Sequence, residues 1–309
     1  MNLRKHSIWT AAAASTLAVT LLIGGCSRDH IEAIQLANAG DQAVKLNVGS
    51  AVKKYEEATR LDPANYQILW KLSQAYAKQE EWSKVETTLS RAASMEPANA
   101  DFQYWRGLSF IKLAEAGNKG AYEDAKEPLK KCAEADPNYA ECFHLLGEAM
   151  LWTGDEQSAV ENYQKAIELN PKKGSFYVPL ADTYITYKLY QPAEKLLSEG
   201  ERLLEKVKAN ENPLYNLYTL LYKVHQSKGD IANGVSVLEK AEQIAGETHP
   251  EVAFNLGSAY AVMKPPQTDK AVRLLKSFNK RACKSAAGQA KFKDQCQTSS
   301  SLVAKMGGE

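Results

Sequence analysis

Residues 140–171 read AECFHLLGEAMLWTGDEQSAVENYQKAIELNP. In the first half, Phe143, Leu146 and Met150 recur at helical spacing, and Gly154-Asp155 then interrupts the run. The second half carries small residues at Ala159 and Ala166 and closes at Pro171. Apolar stripes of period 3.6, separated by a Gly turn and ended by Pro, predict two amphipathic helices. The closing phrase is repeated along the chain. RLDP, SMEP, EADP and ELNP end at Pro63, Pro97, Pro137 and Pro171, with spacings of 34, 40 and 34. Each follows a segment with paired small residues: Ala51 and Ala58, Val85 and Ala92, Ala125 and Cys132, Ala159 and Ala166. Large apolar residues at Leu69, Leu72 and Tyr76 mark a partner helix in the same way. A helix pair that buries only one face per helix needs stacked neighbours to be stable.

The phrase resembles the tetratricopeptide repeat (TPR) family. Leu146-Gly147, Gly154-Asp155, Ala159, Tyr163, Ala166 and Pro171 fall at that family's spacing. The resemblance implies an all-α fold, a superhelical solenoid of six to seven helix-turn-helix repeats. The units run about 31–65, 66–99, 100–139, 140–173, 174–208, 215–248 and 249–282, giving an array over 31–284. In the first unit, Gly40-Asp41 falls inside the expected first helix. The third carries six extra residues, expected as a longer turn around Ala114 to Gly120. In the fifth, Gly200 stands where Ala is usual. Residues 285–309 are expected to form a capping helix and tail.

The chain has 309 residues, 44% hydrophobic and 24% charged, the composition of a folded soluble protein rather than a disordered or polytopic one. The formal charge of +1 becomes −1 if the first 25 residues, with Arg4 and Lys5 and no acid, are removed. Such a chain has no global field to attract nucleic acid, and no nucleic-acid partner is expected.

The N-terminus carries an address. Arg4 and Lys5 precede a run of 16 apolar or small residues, Ile8 to Ile23, then Gly24-Gly25-Cys26. The run is short for a bilayer span, and its small-residue end points to cleavage. Leu22-Ile23-Gly24-Gly25-Cys26 resembles the lipobox of bacterial lipoproteins. That resemblance implies a signal peptide over 1–25, a thioether lipid on Cys26, acylation (palmitate) of the new N-terminus, and a tether over 26–30. Several acyl chains at one site anchor stably. Ser27 rather than Asp follows the Cys, so the family's inner-membrane retention signal is missing. The expected location is the periplasmic face of a bacterial outer membrane.

Four further cysteines, Cys132, Cys142, Cys283 and Cys296, suggest disulfides in an exported protein. Three pairings are open, and the local ones are expected. Cys132–Cys142 would join the second helix of unit three to the first helix of unit four. Cys283–Cys296 would tie the last repeat to the cap. The alternative for Cys132 is a small core residue. No CxxC is present, so no metal site is expected.

Catalytic signals are lacking. The five histidines form no HExxH and no i, i+4 pair, and neither a G-x-S-x-G elbow nor a phosphate loop occurs. The expectation is a non-enzyme without cofactor. The TPR resemblance instead implies a concave groove lined by the first helix of each unit. Carried onto this sequence, the groove comprises Trp70, Gln74 and Lys78; Tyr104, Leu108, Ile111 and Lys112; His144, Glu148, Leu151 and Trp152; Val178, Asp182 and Ile185; and Phe254. Aromatic and apolar side chains at solvent-facing positions are what a partner site uses; the alternative is that some of them pack as core. A local basic run also occurs: Lys264 to Lys293 holds nine Lys or Arg and one acid, Asp269. It suits an anionic partner or lipid headgroups, or a solvated helix face. Together these readings predict a scaffold or assembly factor for an envelope machine such as a pilus, motility or secretion complex. The alternative is a recruiter that binds peptidoglycan or its enzymes.

Overall fold

The computed structural model describes residues 28–205, 207, 211–245 and 248–307. The expected signal segment (1–25) and the expected lipidation site Cys26 lie outside the described residues. Two compact units divide the chain, Met1–Ala159 and Val160–Glu309.

In the first unit, α1 (28–43) pairs with α2 (Val48–Leu61), α3 (Tyr66–Lys78) with α4 (Trp82–Met95), and α5 (Ala100–Glu115) with α6 (Ala121–Ala135). Helix α7 (Ala140–Trp152) follows, and the division falls inside α8 (Glu156–Leu169). The second unit continues with a short 3-10 turn (Gly174–Phe176), α9 (Tyr177–Thr186) and α10 (Tyr190–Leu204). Then come α11 (Glu211–Lys228) with α12 (Ile231–Ala245), α13 (Pro250–Val262) with α14 (Thr268–Ala282), α15 (Ala286–Lys291) and α16 (Lys293–Lys305). Among the described residues there are sixteen α-helices and no strand.

The residues of the repeat phrase are the devices that end one helix and start the next. Gly154 has φ +85°. Its N–H bonds the carbonyl of Leu151 (3.2 Å), and the Asp155 N–H reaches back to Met150 (2.9 Å). This left-handed C-cap satisfies the last carbonyls of α7. Asp155 then opens α8 by accepting the N–H of Ser158 on Oδ1 (3.2 Å), and those bonds hold its carboxyl below the usual range. Gly229-Asp230 does the same: φ +72° at Gly229, Asp230 N–H to His225 O at 2.9 Å, and Asn233 N–H to Asp230 Oδ1 at 3.2 Å. At the Pro-containing phrases, Asn65 and Asn99 cap α3 and α5 by accepting from Ile68 (3.3 Å) and Phe102 (3.2 Å).

Glu80 occupies the position of Gly154 in the α3–α4 turn, with φ +58° and the same pattern, Glu81 N–H to Tyr76 O at 3.1 Å. A side chain in the left-handed region carries strain that glycine does not. Glu80→Gly is therefore expected to raise stability by about 1 kcal/mol. An unchanged urea midpoint would show that the turn carries no such strain.

The small residues mark where helices approach. A Cβ on Gly107 of α5 would lie 2.4 Å from Cγ of Leu129 on α6, itself fully buried. A Cβ on Gly200 would meet Leu217 and Tyr177 at 2.9 Å, which accounts for glycine where the repeat ordinarily has Ala.

Helix α1 runs unbroken through Gly40-Asp41: the ring of Tyr55 sits where a Cβ on Gly40 would be (2.5 Å), and its hydroxyl donates to Asp41 (2.7 Å). Asp41 also holds Lys71 at 2.5 Å. The extra residues of the third unit are not all in the turn: α5 has 16 residues against 13 in α3, and α6 has 15 against 14 in α4. The cap is two helices, since the chain turns at buried Phe292 between α15 and α16.

Both local disulfides are present, each within one unit. Cys132–Cys142 has Cα atoms 6.0 Å apart and both side chains fully buried. Cys283–Cys296 has Cα atoms 5.8 Å apart.

Candidate functional site

The first helices of the first unit carry a strip of aromatic rings. Trp70 on α3 lies over buried Phe102 at 5.4 Å and meets Trp105 of α5 edge-on at 6.3 Å. Trp105 is edge-on to Tyr104 at 6.0 Å, and Tyr104 stacks on Tyr139, at the start of α7, at 5.1 Å. The Tyr139 hydroxyl donates to Asp101 (3.1 Å). Trp70, Trp105, Tyr104 and Tyr139 are each half-buried, so the strip is packed from below and open above. Burial raises the phenol pKa of Tyr104, with the Glu141 carboxylate adding to it. Gln74, one turn beyond Trp70, has its Nε2 buried without an acceptor. Lys78, a further turn on, is exposed.

A second aromatic group lies at the end of α7. Trp152 is 58% exposed, and its ring stacks on Tyr122 of α6 at 5.3 Å and 8°. The ammonium of Lys119 sits 4.8 Å from the Trp152 ring and 5.5 Å from Tyr122. On α7, Glu148 is half-buried, and its carboxyl is raised by desolvation first and by Glu115 second, with Lys112 opposing. Lys112 is held by Glu115 at 2.7 Å. His144, Leu151 and Leu108 are half-buried along the same helices.

Ile111 is not part of this surface. It is 1% exposed, because it falls on the stripe of buried Gly107 and Ala114, while Leu108 and Lys112 lie on the more open side of the helix. Trp105, which sequence reasoning omitted, joins the two halves of the strip.

The second unit does not extend the strip. Val178 and Ile185 of α9 pack against its main apolar cluster, and Phe254 lies 5.2 Å from Phe278 in the terminal one. These three act mainly as packing residues. Asp182 is exposed, with Lys223 at 3.5 Å. A shallow cavity of about 260 Å³ lies among Tyr222, Gln226, Ile231, Ser258 and Val262, and the buried hydroxyl of Ser258 has no partner there. Among the described residues, no three metal-ligating side chains gather at one point, and no helix is long and apolar enough to cross a membrane.

Repeated helix pairs, two of them closed by Gly-Asp turns, with outward aromatic positions on α3 and α5, define a helical-repeat protein. The tetratricopeptide repeat family model matches residues 140–173, and the chain is similar to tetratricopeptide repeat proteins. Among curated relatives, it is 25% identical over 142 residues to the BBSome complex member BBS4 of Mus musculus, covering 46% of this chain and 26% of that protein. The chain spans about a quarter of the length of the first curated relatives it matches. Two solved structures share the fold. One is the C-terminal part of a TPR repeat-containing protein from Cytophaga hutchinsonii, with TM-score 0.64, 14% identity, and 81% and 97% of the two chains covered. The other is a tetratricopeptide repeat protein from Parabacteroides merdae, with TM-score 0.57, 16% identity, and 87% and 98% covered.

Proposed function

We propose that this TPR protein is an outer-membrane-anchored lipoprotein, facing the periplasm, that holds a protein partner against the aromatic strip of its first unit. Its task would be assembly or stabilisation of an envelope machine, and not catalysis. The observation that carries the reading is the strip itself. Four half-buried rings are locked by mutual contacts, with the unsatisfied Gln74 amide one helical turn away. Rigid aromatic anchors beside a polar group that still needs a partner have the character of a binding hot spot. The lipobox-like segment supports the address. A second reading, glycan binding, is favoured by the exposed Trp152 ring stacked on Tyr122, since sugars pack on such faces.

The test is co-purification from detergent-solubilised outer membrane after mild crosslinking. Wild type is compared with a Tyr104→Ala/Trp152→Ala variant whose helicity is verified by circular dichroism. One envelope protein enriched with wild type and reduced at least about tenfold with the variant is expected, since truncating a hot-spot ring costs about 2 kcal/mol or more. The same proteins in both samples would sink the scaffold reading. Cosedimentation with purified peptidoglycan that salt barely affects would establish the alternative. Labelled palmitate on wild type but not on Cys26→Ser checks the anchor separately.

A further inference from the structure

The basic run of the C-terminal segment becomes a surface in the second unit. On α14, Ala271, Leu275, Phe278 and Ala282 form one face, each 3% exposed or less. Lys270, Arg273, Lys276 and Lys280 occupy the opposite face and are all exposed. Lys264 before α14, Lys284 after it, Lys291 on α15 and Lys293 at the start of α16 are exposed as well. Arg281 alone of the nine turns inward, against Glu242 at 3.8 Å. Lys270, Arg273, Lys280 and Lys284 make no ion pair with any described carboxylate. Lys270 lies 5.0 Å from the ring of Tyr260. The only acid within the run is Asp269.

The chemistry of this surface differs from that of the aromatic strip. Seven of its eight exposed cations are lysines, and no large apolar side chain is exposed between residues 264 and 307 among those described. Protein interfaces are depleted in Lys and centred on aromatic or Arg anchors; this face has no exposed aromatic ring and a single exposed Arg, Arg273. Solvated point charges spread over two helices and a turn, without an insertion side chain, match the diffuse negative potential of a lipid headgroup layer. We propose that the exposed basic face of α14, extended by Lys284 and Lys291, docks on an anionic phospholipid surface. The contact is peripheral and electrostatic, and it depends neither on a lipid at Cys26 nor on the aromatic strip.

The test uses residues 27–309, which contain every described element and no lipid. Protein is floated with vesicles of phosphatidylcholine alone, or of phosphatidylcholine with roughly one third phosphatidylglycerol. Binding to the anionic vesicles only, abolished by raised salt, is expected. Lys270→Glu/Arg273→Glu/Lys280→Glu should weaken the partition at least about 100-fold, at the usual contribution per basic residue near such a surface. A charge-matched control, Lys53→Glu/Lys130→Glu/Lys195→Glu, should bind like wild type. Equal binding to both vesicle types, or equal losses in the two variants, overturns the proposal. So does absent vesicle binding alongside capture of polyglutamate that the α14 variant loses, which would instead identify an acidic polypeptide as the partner.

Discussion

Above pH 10 the helix signal of this protein is expected to collapse steeply, with tyrosinate appearing in the same transition. Among the described residues, each unit has at least three tyrosines whose hydroxyls donate to carboxylates. They are Tyr55 to Asp41 (2.7 Å), Tyr76 to Glu56 (2.6 Å) and Tyr139 to Asp101 (3.1 Å) in the first unit. In the second they are Tyr215 to Glu251 (3.0 Å), Tyr218 to Glu205 (3.4 Å), and Tyr260 to Glu239. Burial raises all six phenols, and the neighbouring carboxylates raise them further; Tyr260 is pushed up to about 12 and the others higher. A phenol in the unfolded chain loses its proton near pH 10. The folded state then binds more protons than the unfolded one, so stability falls as pH rises from there through the folded pKa values. Below pH 10 the contribution is fully present.

Each phenol can add at most about 1.4 kcal/mol per pH unit, reduced by solvent screening at the hydroxyls, and these losses draw on a total domain stability of about 5–15 kcal/mol. Circular dichroism and tyrosinate absorbance followed together provide the check. Replacing Tyr55, Tyr76 and Tyr139 by Phe should flatten the first unit's share of the slope. Ionisation of most tyrosines near pH 10 with the helices intact would contradict the account.

Phe278→Ala is expected to cost about 3–5 kcal/mol. Phe278 is fully buried, with the rings of Phe254 and Phe292 at 5.2 and 5.8 Å. It is thus the common neighbour of α13, of α14 itself and of the turn into α16. α16 is further fastened by the Ser299 hydroxyl on the carbonyl of Leu275 (3.3 Å), by the Cys296–Cys283 bridge, by buried Val303 and, just past its end, by Met306. Removing the ring opens a cavity that its fully buried neighbours Ala253 and Leu275 can fill only by moving backbone. Phe254→Ala, at a half-buried ring, should cost less than half as much. Urea unfolding of both variants separates the cases, and equal losses would mean that the cluster is not centred on Phe278.

The repeat was legible because its signals are local. Gly154-Asp155 and Gly229-Asp230 act within five residues of themselves, and the Asn caps follow their Pro at a fixed distance. The groove was legible only in part. One residue along a helix turns a side chain by about 100°, which is enough to separate half-buried Leu108 and Lys112 from buried Ile111. Trp105 was hidden for the same reason, since its outward direction depends on how α3 and α5 pack. The tyrosine–carboxylate pairs join residues 13 to 38 positions apart, and no local pattern announces them. The cavity bounded by Tyr222 and Ser258 left no sequence signal, because three helices contribute to it.

The two bridges determine where tension can travel. Helix pairs that touch only their neighbours peel apart from a free end. A pull on the C-terminus enters α16 and passes at Cys296 straight to Cys283 at the end of α14, bypassing the six-residue α15. In the first unit, Cys132–Cys142 clamps α6 to α7 across a span of only ten residues, so these helices cannot part under load. The segment between Cys283 and Cys296, α15 included, therefore adds nothing to the length paid out when the C-terminus is pulled, whereas the rest of α16 beyond Cys296 remains free to unwind.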